Sequence, residues 1–245
     1  MREQPDVDGI IYRMSDSSPI LDAATLGLIH ITIPVGMLHC NCSIIGDPLT
    51  REALVLDPGD EVGRILDLLG RHKLTVKVIV STHAHIDHVG GLSKLHQYTG
   101  APVLMHRDDL PLYQAMDMQA AFLGVAPPEL TSIEHLLREG DALRWGSFEA
   151  KVIHTPGHTP GSVCLYLPQE ASSIAIPAPL LFAGDTLFAG SIGRTDLWGG
   201  SLDAIMSSLR NKLMQLPDET IVHPGHGQTT TIGHERQLNP FLAKT

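Results

Sequence analysis

Four side chains able to bind metal crowd into six residues of this sequence: His83, His85, Asp87 and His88. They follow the β-branched run Val78-Ile79-Val80 and precede Gly90-Gly91, so a buried strand is expected to empty its donors into a loop before a helix begins. His83 and His85 alternate by two, which on extended backbone points both imidazoles to one side, where they can grip one ion. Asp87 and His88 are adjacent, and a turn toward a helix there would let them face a second ion close to the first. An ordinary histidine-rich turn is the plainer reading of such a stretch, but the density of donors argues against it.

Three later islands repeat one construction of strand, rigid turn and donor. They are His158 within Thr155-Pro156-Gly157-His158-Thr159-Pro160-Gly161, Asp185 within Phe182-Ala183-Gly184-Asp185-Thr186, and His226 within His223-Pro224-Gly225-His226-Gly227. A metal site needs its donors held to fractions of an ångström, and proline with glycine supplies restricted turns that do so. His223 lies nearby and either stands behind the donors or is an ordinary turn histidine. Arg194 is either a substrate anchor or the ion-pair partner of Asp196.

The elements that must carry these donors read as follows. Ile29 to Met37 is an edge strand, because Pro34 cannot serve a central one. Cys42 to Ile45 and Ala53 to Leu56 form a hairpin across Gly46-Asp47-Pro48. Val62, Ile65, Leu66 and Leu69 recur at helical spacing. Val76 to Val80 delivers the first histidines, Leu92 to Tyr98 is a helix, and Val103 to His106 a strand. Residues 108–139 break this rhythm, with one helix through Leu112 to Phe122 and a short apolar run at Ile133 to Leu137, and form a helical insertion that is either a lid or a packing element. Strands resume at 140–143, 149–154, 162–167, 180–182 and 220–222, with a loop at 168–179, a helix from Ser201 to Leu213 capped by Ser201, and a short helix at 233–237. Donors delivered from loops after several strands, with no phosphate-cradling glycine fingerprint, favour two sheets with helices outside over a doubly wound dinucleotide fold.

The 245 residues suit a single domain with one substantial core. No apolar run approaches the roughly 18 to 20 residues that span a bilayer, so no membrane partner is expected. Met1 to Asp8 carries acids and no apolar core, unlike a secretory leader. The excess of 27 acidic over 17 basic residues argues against a nucleic-acid surface. Cys40, Cys42 and Cys164 show no disulfide spacing and suit small fillers in a reducing compartment, so a cytoplasmic protein is expected.

The set His83, His85, Asp87, His88, His158, Asp185 and His226 resembles the metallo-β-lactamase superfamily. Pro156 to Gly161, Gly184 to Phe188, Gly193-Arg194-Thr195-Asp196 and Pro224 to Gly227 look like its hydroxyacylglutathione hydrolase (glyoxalase II) branch, in the shorter single-domain form. That resemblance implies an αββα sandwich of two mixed sheets flanked by helices, with the site at one edge of the sheets. It also implies two divalent ions, with zinc expected and iron or manganese as alternatives. His83, His85 and His158 would hold the first, Asp87, His88 and His226 the second, and Asp185 both.

The implied chemistry is hydrolysis of a thioester, S-lactoylglutathione or a related acylthiol, by a hydroxide shared between the ions, with Asp87 and Asp185 orienting it or carrying its proton. Only a short segment follows His226, whereas two-domain glyoxalase II has a helical extension there. A glutathione moiety would therefore be held by 108–139 or by a partner subunit in a homo-oligomer. The rivals are a mono-iron persulfide dioxygenase, which shares the Gly-Arg-Thr-Asp loop but usually carries alanine where this chain has Gly225, a lactonase or other esterase, and a non-catalytic metal-stabilised interaction module. A β-lactamase is disfavoured, because Asp185 stands where the common lactamases carry cysteine.

Overall fold

The computed structural model describes residues 27–170, 174 and 176–243, so Met1 to Asp8 and part of the 168–179 loop lie outside the described residues. The first sheet takes its strands in chain order: β1 (Ile29–Val35), β2 (Cys40–Gly46), β3 (Glu52–Leu56), β4 (Thr75–Val80), β5 (Val103–His106) and β6 (His135–Leu137). The first three are antiparallel, and β3 through β6 run parallel. Parallel neighbours need crossovers, supplied by α1 (Val62–Arg71), by α2 (Ile86–Val89) with α3 (Leu92–Thr99), and by α4 (Leu110–Gln114) with α5 (Met116–Leu123). Pro34 sits on β1, the edge strand, where its missing N–H breaks no ladder.

The second sheet contains β7 (Ala142–Trp145), β8 (Phe148–His154), β9 (Val163–Leu167) and β10 (Leu180–Gly184). A small ribbon follows, β11 (Leu187–Phe188) with β12 (Ser191–Ile192), then β13 (Ile221–Pro224) and β14 (Thr230–Thr231). Its order is β14-β13-β10-β9-β8-β7, antiparallel except where β10 meets β13. α6 (Leu202–Asn211) lies between those two parallel strands in the chain and α7 (Ile232–Leu238) follows β14. The side chain of Ser201 caps α6 by accepting from Ala204 N.

Three apolar layers hold these parts together. Leu54, Val80 and Leu104 of the first sheet meet Phe148, Leu165 and Phe182 of the second between the sheets. The other face of the first sheet packs Ile44, Val55 and Ile79 on Ile65, Leu69 and Leu95 of its helices. The outer face of the second packs Leu181 and Val222 on Ile205, Leu209 and Ile232. This is the αββα sandwich with two mixed sheets.

A register shift between β3 and β4 decides which way the donor strand points its side chains. Lys77 is the extra residue, so Val76 joins the helix-side layer while Val78 and Val80 join the layer between the sheets. Such a shift leaves no mark in the apolar pattern Thr75-Val76-Lys77-Val78-Ile79-Val80. The run at Ile133 to Leu137 yields a strand, β6, too short for a periodic signal and formed by pairing with β5. The helix expected through Leu112 to Phe122 is two short helices broken at Ala115. Ser201 to Leu213 is helical only to Asn211, with a 3₁₀ turn at Leu213–Gln215. The ribbon and β14, two residues per strand, carried no readable pattern. Among the described residues no helix is long and apolar enough to cross a membrane.

His30 and His223 pack edge to face, ring centroids 4.4 Å apart, with Phe182 against both. Burial pulls each pKa down from the ordinary 6.5 to about 4. Both are thus neutral in the folded protein at pH 5, whereas the unfolded chain takes up their protons below about 6.5. Their neutral packing stabilises the fold fully above that value and is lost as pH falls through the folded pKa. The urea midpoint should fall between pH 7 and pH 4.5, and His30→Gln with His223→Gln should make that decline shallower. Parallel declines in the two proteins would refute the assignment.

Candidate metal centre

Asp57 begins the site, although it carries no donor to a metal. It is buried at the end of β3 in left-handed backbone (φ 51°), a conformation that non-glycine residues adopt rarely. Its Oδ1 accepts from Thr82 N at 2.7 Å, and its Oδ2 accepts from Thr82 Oγ1 at 2.7 Å and faces His88 Nδ1 at 3.0 Å. Thr82 Oγ1, having given its hydrogen to Asp57, accepts from His83 Nδ1 at 3.1 Å. The His158 Nδ1 donates to Arg194 O at 2.9 Å. These contacts place a ring proton on Nδ1 of His83, His88 and His158 and turn each Nε2 toward the centre.

The ring nitrogens converge. His83 Nε2 stands 3.1 Å from His85 Nδ1 and 3.2 Å from His158 Nε2, while His88 Nε2 is 3.3 Å from His226 Nε2. Asp87 Oδ2 approaches His226 Nε2 at 3.1 Å and His88 Nε2 at 3.7 Å. Two sets of donors result, His83 with His85 and His158, and Asp87 with His88 and His226, each gathered within 4.8 Å. Asp185 reaches into both: its Oδ2 is 3.5 Å from His158 Nε2 and 3.7 Å from His226 Nε2, and its Oδ1 is 3.5 Å from His88 Nε2. Asp185 Oδ1 is buried and receives no hydrogen bond. Imidazole nitrogens and carboxylate oxygens gathered this closely, beside a buried carboxylate oxygen that receives no hydrogen bond, are the donor set a pair of divalent cations fits, each cation taking the place of protons held there in its absence.

The local electrostatics divide the two donor sets: burial disfavours charge on His88 and His226, but the facing carboxylates outweigh it and raise both pKa values. Burial, reinforced by the surrounding imidazoles, pushes the His83 pKa well below its ordinary value, and burial pulls His85 down to about 3, so both rings are neutral. Burial opposes charge on Asp87, but His88 and His226 outweigh it and hold the carboxyl below the usual range.

Every donor leaves the carboxyl end of a strand: His83 through His88 after β4, His158 after β8, Asp185 after β10 and His226 after β13. The loops close on one another through small residues. A Cβ at Gly225 would overlap Asp185 Oδ1 and come within 2.8 Å of His88 Cε1, so only glycine lets the His226 loop approach this near.

The two side residues expected near the site fare differently. Arg194 lines the adjoining cavity but forks onto Asp196, with Nε at 2.8 Å and Nη2 at 2.9 Å. His223 lies away from the donors, against His30 and Phe182.

Sequence reading overlooked Asp57, Asp109 and Gln119. Asp109, fully buried, accepts from Ala84 N (2.8 Å), Thr159 Oγ1 (2.8 Å) and Gly161 N (2.6 Å). It thereby ties the loop of His83 and His85 to the loop of His158. Gln119 of α5 accepts from Ile86 N at 3.0 Å and donates to Ala84 O at 2.9 Å, so Ala84 is held by side chains at both its backbone groups. An Asp-Pro-Gly at a strand end was the available signal for Asp57. For Asp109 and Gln119 there was none, because the loop groups they hold at the site lie 25 to 52 residues away.

Comparison with known proteins follows the same lines. The Metallo-beta-lactamase superfamily model matches residues 35–226. The chain belongs to the metallo-β-lactamase superfamily. Within that superfamily of metal-dependent enzymes, it is 36% identical over 217 residues to the hydroxyacylglutathione hydrolase GloC of Haemophilus influenzae, covering 86% of this chain and 96% of GloC. Three solved structures superpose along most of the chain. BLEG-1 B3 metallo-beta-lactamase has a TM-score of 0.80 at 37% identity, covering 88% of this chain and all of that one. TTHA1623 in a di-iron-bound form has a TM-score of 0.75 at 40% identity, covering 86% and 100%. ETHE1 from Myxococcus xanthus has a TM-score of 0.72 at 29% identity, covering 88% and 84%. The clustered His and Asp donors are those of a binuclear centre typical of this superfamily, beside which a small-molecule substrate binds.

Gly225→Ala should cost the loaded protein one of two ions, seen by metal analysis after gel filtration, while the fold persists by circular dichroism; two retained ions would contradict the close-approach argument. Asp109→Asn places an amide NH₂ against N–H or O–H donors. It should weaken metal binding at the His83, His85 and His158 side by roughly tenfold to a hundredfold, measured by chelator competition, and unchanged affinity would show that Asp109 is dispensable.

Proposed function

We propose that this protein hydrolyses an acylthiol, with S-lactoylglutathione or a related thioester as substrate, at a pair of divalent ions. In this reading His83, His85 and His158 hold one ion, Asp87, His88 and His226 hold the other, and Asp185 bridges them. The observation that carries it is the reach of Asp185 into both donor sets, beside a cavity of about 220 Å³ onto which His85, Asp87, His158 and Asp185 all open. Zinc, iron or manganese suits these donors, and when bound such a pair supplies an activated water and positive charge against a developing oxyanion.

The chain's own residues do the rest. Asp87 and Asp185 line the cavity and take the proton of the attacking water, whose oxygen bonds to the thioester carbon. The C–S bond breaks, the thiolate departs as a weak base without an acid to protonate it, and carboxylate and thiol are the products. Phe122 and Trp198, edge to face at 5.5 Å with Trp198 6.0 Å from His85, form an aromatic wall that limits water around the reacting carbonyl. The relation to GloC, a hydroxyacylglutathione hydrolase, supports a thioester as the substrate class.

The likeness to ETHE1 favours a second reading, a mono-iron persulfide dioxygenase. Metal analysis with activity separates the two. The hydrolase reading expects two ions per chain, release of free thiol from S-lactoylglutathione or another acylthiol, and loss of activity on chelation with recovery on adding metal. One iron per chain, oxygen consumed with a persulfide, and no thioester cleaved would overturn it.

A further inference from the structure

The cavity at the donors is one end of a longer groove. A second cavity, about 250 Å³, shares Leu38, Ile86, Asp87 and Leu123 with the first and continues past Met37 and Val125. Its walls come from the β1–β2 turn on one side and the end of α5 on the other. Met37, Leu38, Phe122 and Val125 are large apolar side chains left exposed there, at 67%, 42%, 65% and 36%. Scattered exposed apolar residues need no explanation, but four along one groove that begins at a reactive centre mark a binding surface.

The charges along this groove are one-sided. Among the described residues lining the two cavities, Arg194 is the sole lysine or arginine, and its guanidinium is already forked onto Asp196. Beyond the donors, the other ionisable group is Asp60, an acid, and the chain as a whole carries a formal charge of −10. A glutathione thioester brings two carboxylates and one ammonium, and would lay net negative charge along a wall with no free cation to receive it.

We infer that this groove takes the uncharged, apolar arm of its substrate, so that the preferred acylthiols are neutral ones with an extended hydrocarbon chain rather than glutathione conjugates. This rests on the acylthiol hydrolase reading for its chemistry, but the groove's preference can be measured without turnover. Trp198 lines the first cavity, whereas Trp145, the other tryptophan, is 1% exposed in the core. Emission from Trp198 therefore reports occupancy.

The test uses the metal-loaded protein with two matched thioethers, S-hexyl-N-acetylcysteamine and S-hexylglutathione, and the corresponding hexanoyl thioesters. The neutral thioether should quench Trp198 with about tenfold lower Kd, and the neutral thioester should show a similarly higher kcat/KM. Val125→Lys, at an exposed wall position away from the donors, should narrow or reverse both rankings. Equal or tighter binding of the glutathione thioether, no binding of either thioether, or a ranking unmoved by Val125→Lys would overturn the inference. If the neutral thioether binds more tightly and neither thioester is cleaved, the groove assignment stands and the hydrolase reading falls.

Discussion

Imidazole nitrogens and carboxylates crowded around one centre are the constraint from which the rest of this structure follows. Donor atoms about 3 Å apart are packed closely, and burial denies them the water that would otherwise separate them. The fold tolerates the arrangement because hydrogen bonds on the far side of three rings, from His83 to Thr82, His88 to Asp57 and His158 to the Arg194 carbonyl, hold their orientation. The cost is offset when cations occupy the convergence, which makes the centre a receptor for metal charge built before any metal arrives.

Such a receptor cannot be assembled from one segment. Its donors come from loops of both sheets, and a loop is mobile unless tied down. The ties are buried carboxylate and amide groups: Asp57 binds the loop after β4 to the end of β3, Asp109 joins that loop to the one carrying His158, and Gln119 brings α5 onto Ala84 and Ile86. Each link accepts from backbone N–H groups that would otherwise be buried without partners, so the same bonds satisfy the loops and place the donors. Residues 108–139 therefore reach the centre through Asp109 and Gln119, and also contribute β6 to the first sheet.

The superfamily runs several chemistries on one metal framework: a chain named as a hydrolase aligns with this one in sequence, and chains named as a lactamase and ETHE1 superpose on it. The centre supplies reactivity, while the walls beside it choose what is presented to it. Here those walls are an aromatic pair, exposed aliphatic side chains and an arginine already committed to an aspartate.

The candidate donors were legible in sequence because metal chemistry restricts residue type and spacing so severely. His83, His85, Asp87 and His88 within six positions, and three later donors each framed by proline or glycine, leave few other uses for such residues. The layered sheet order was legible too, since strands and amphipathic helices announce themselves by period. What sequence could not disclose was anything depending on contacts between distant segments. The bulge at Lys77 arises from pairing with β3, β6 exists only beside β5, and Asp109 matters only because folding delivers Ala84 and Gly161 to its carboxylate. Local pattern records which residues can bind a metal; the direction in which each lone pair points is settled by partners far along the chain, and only the folded structure brings those partners together.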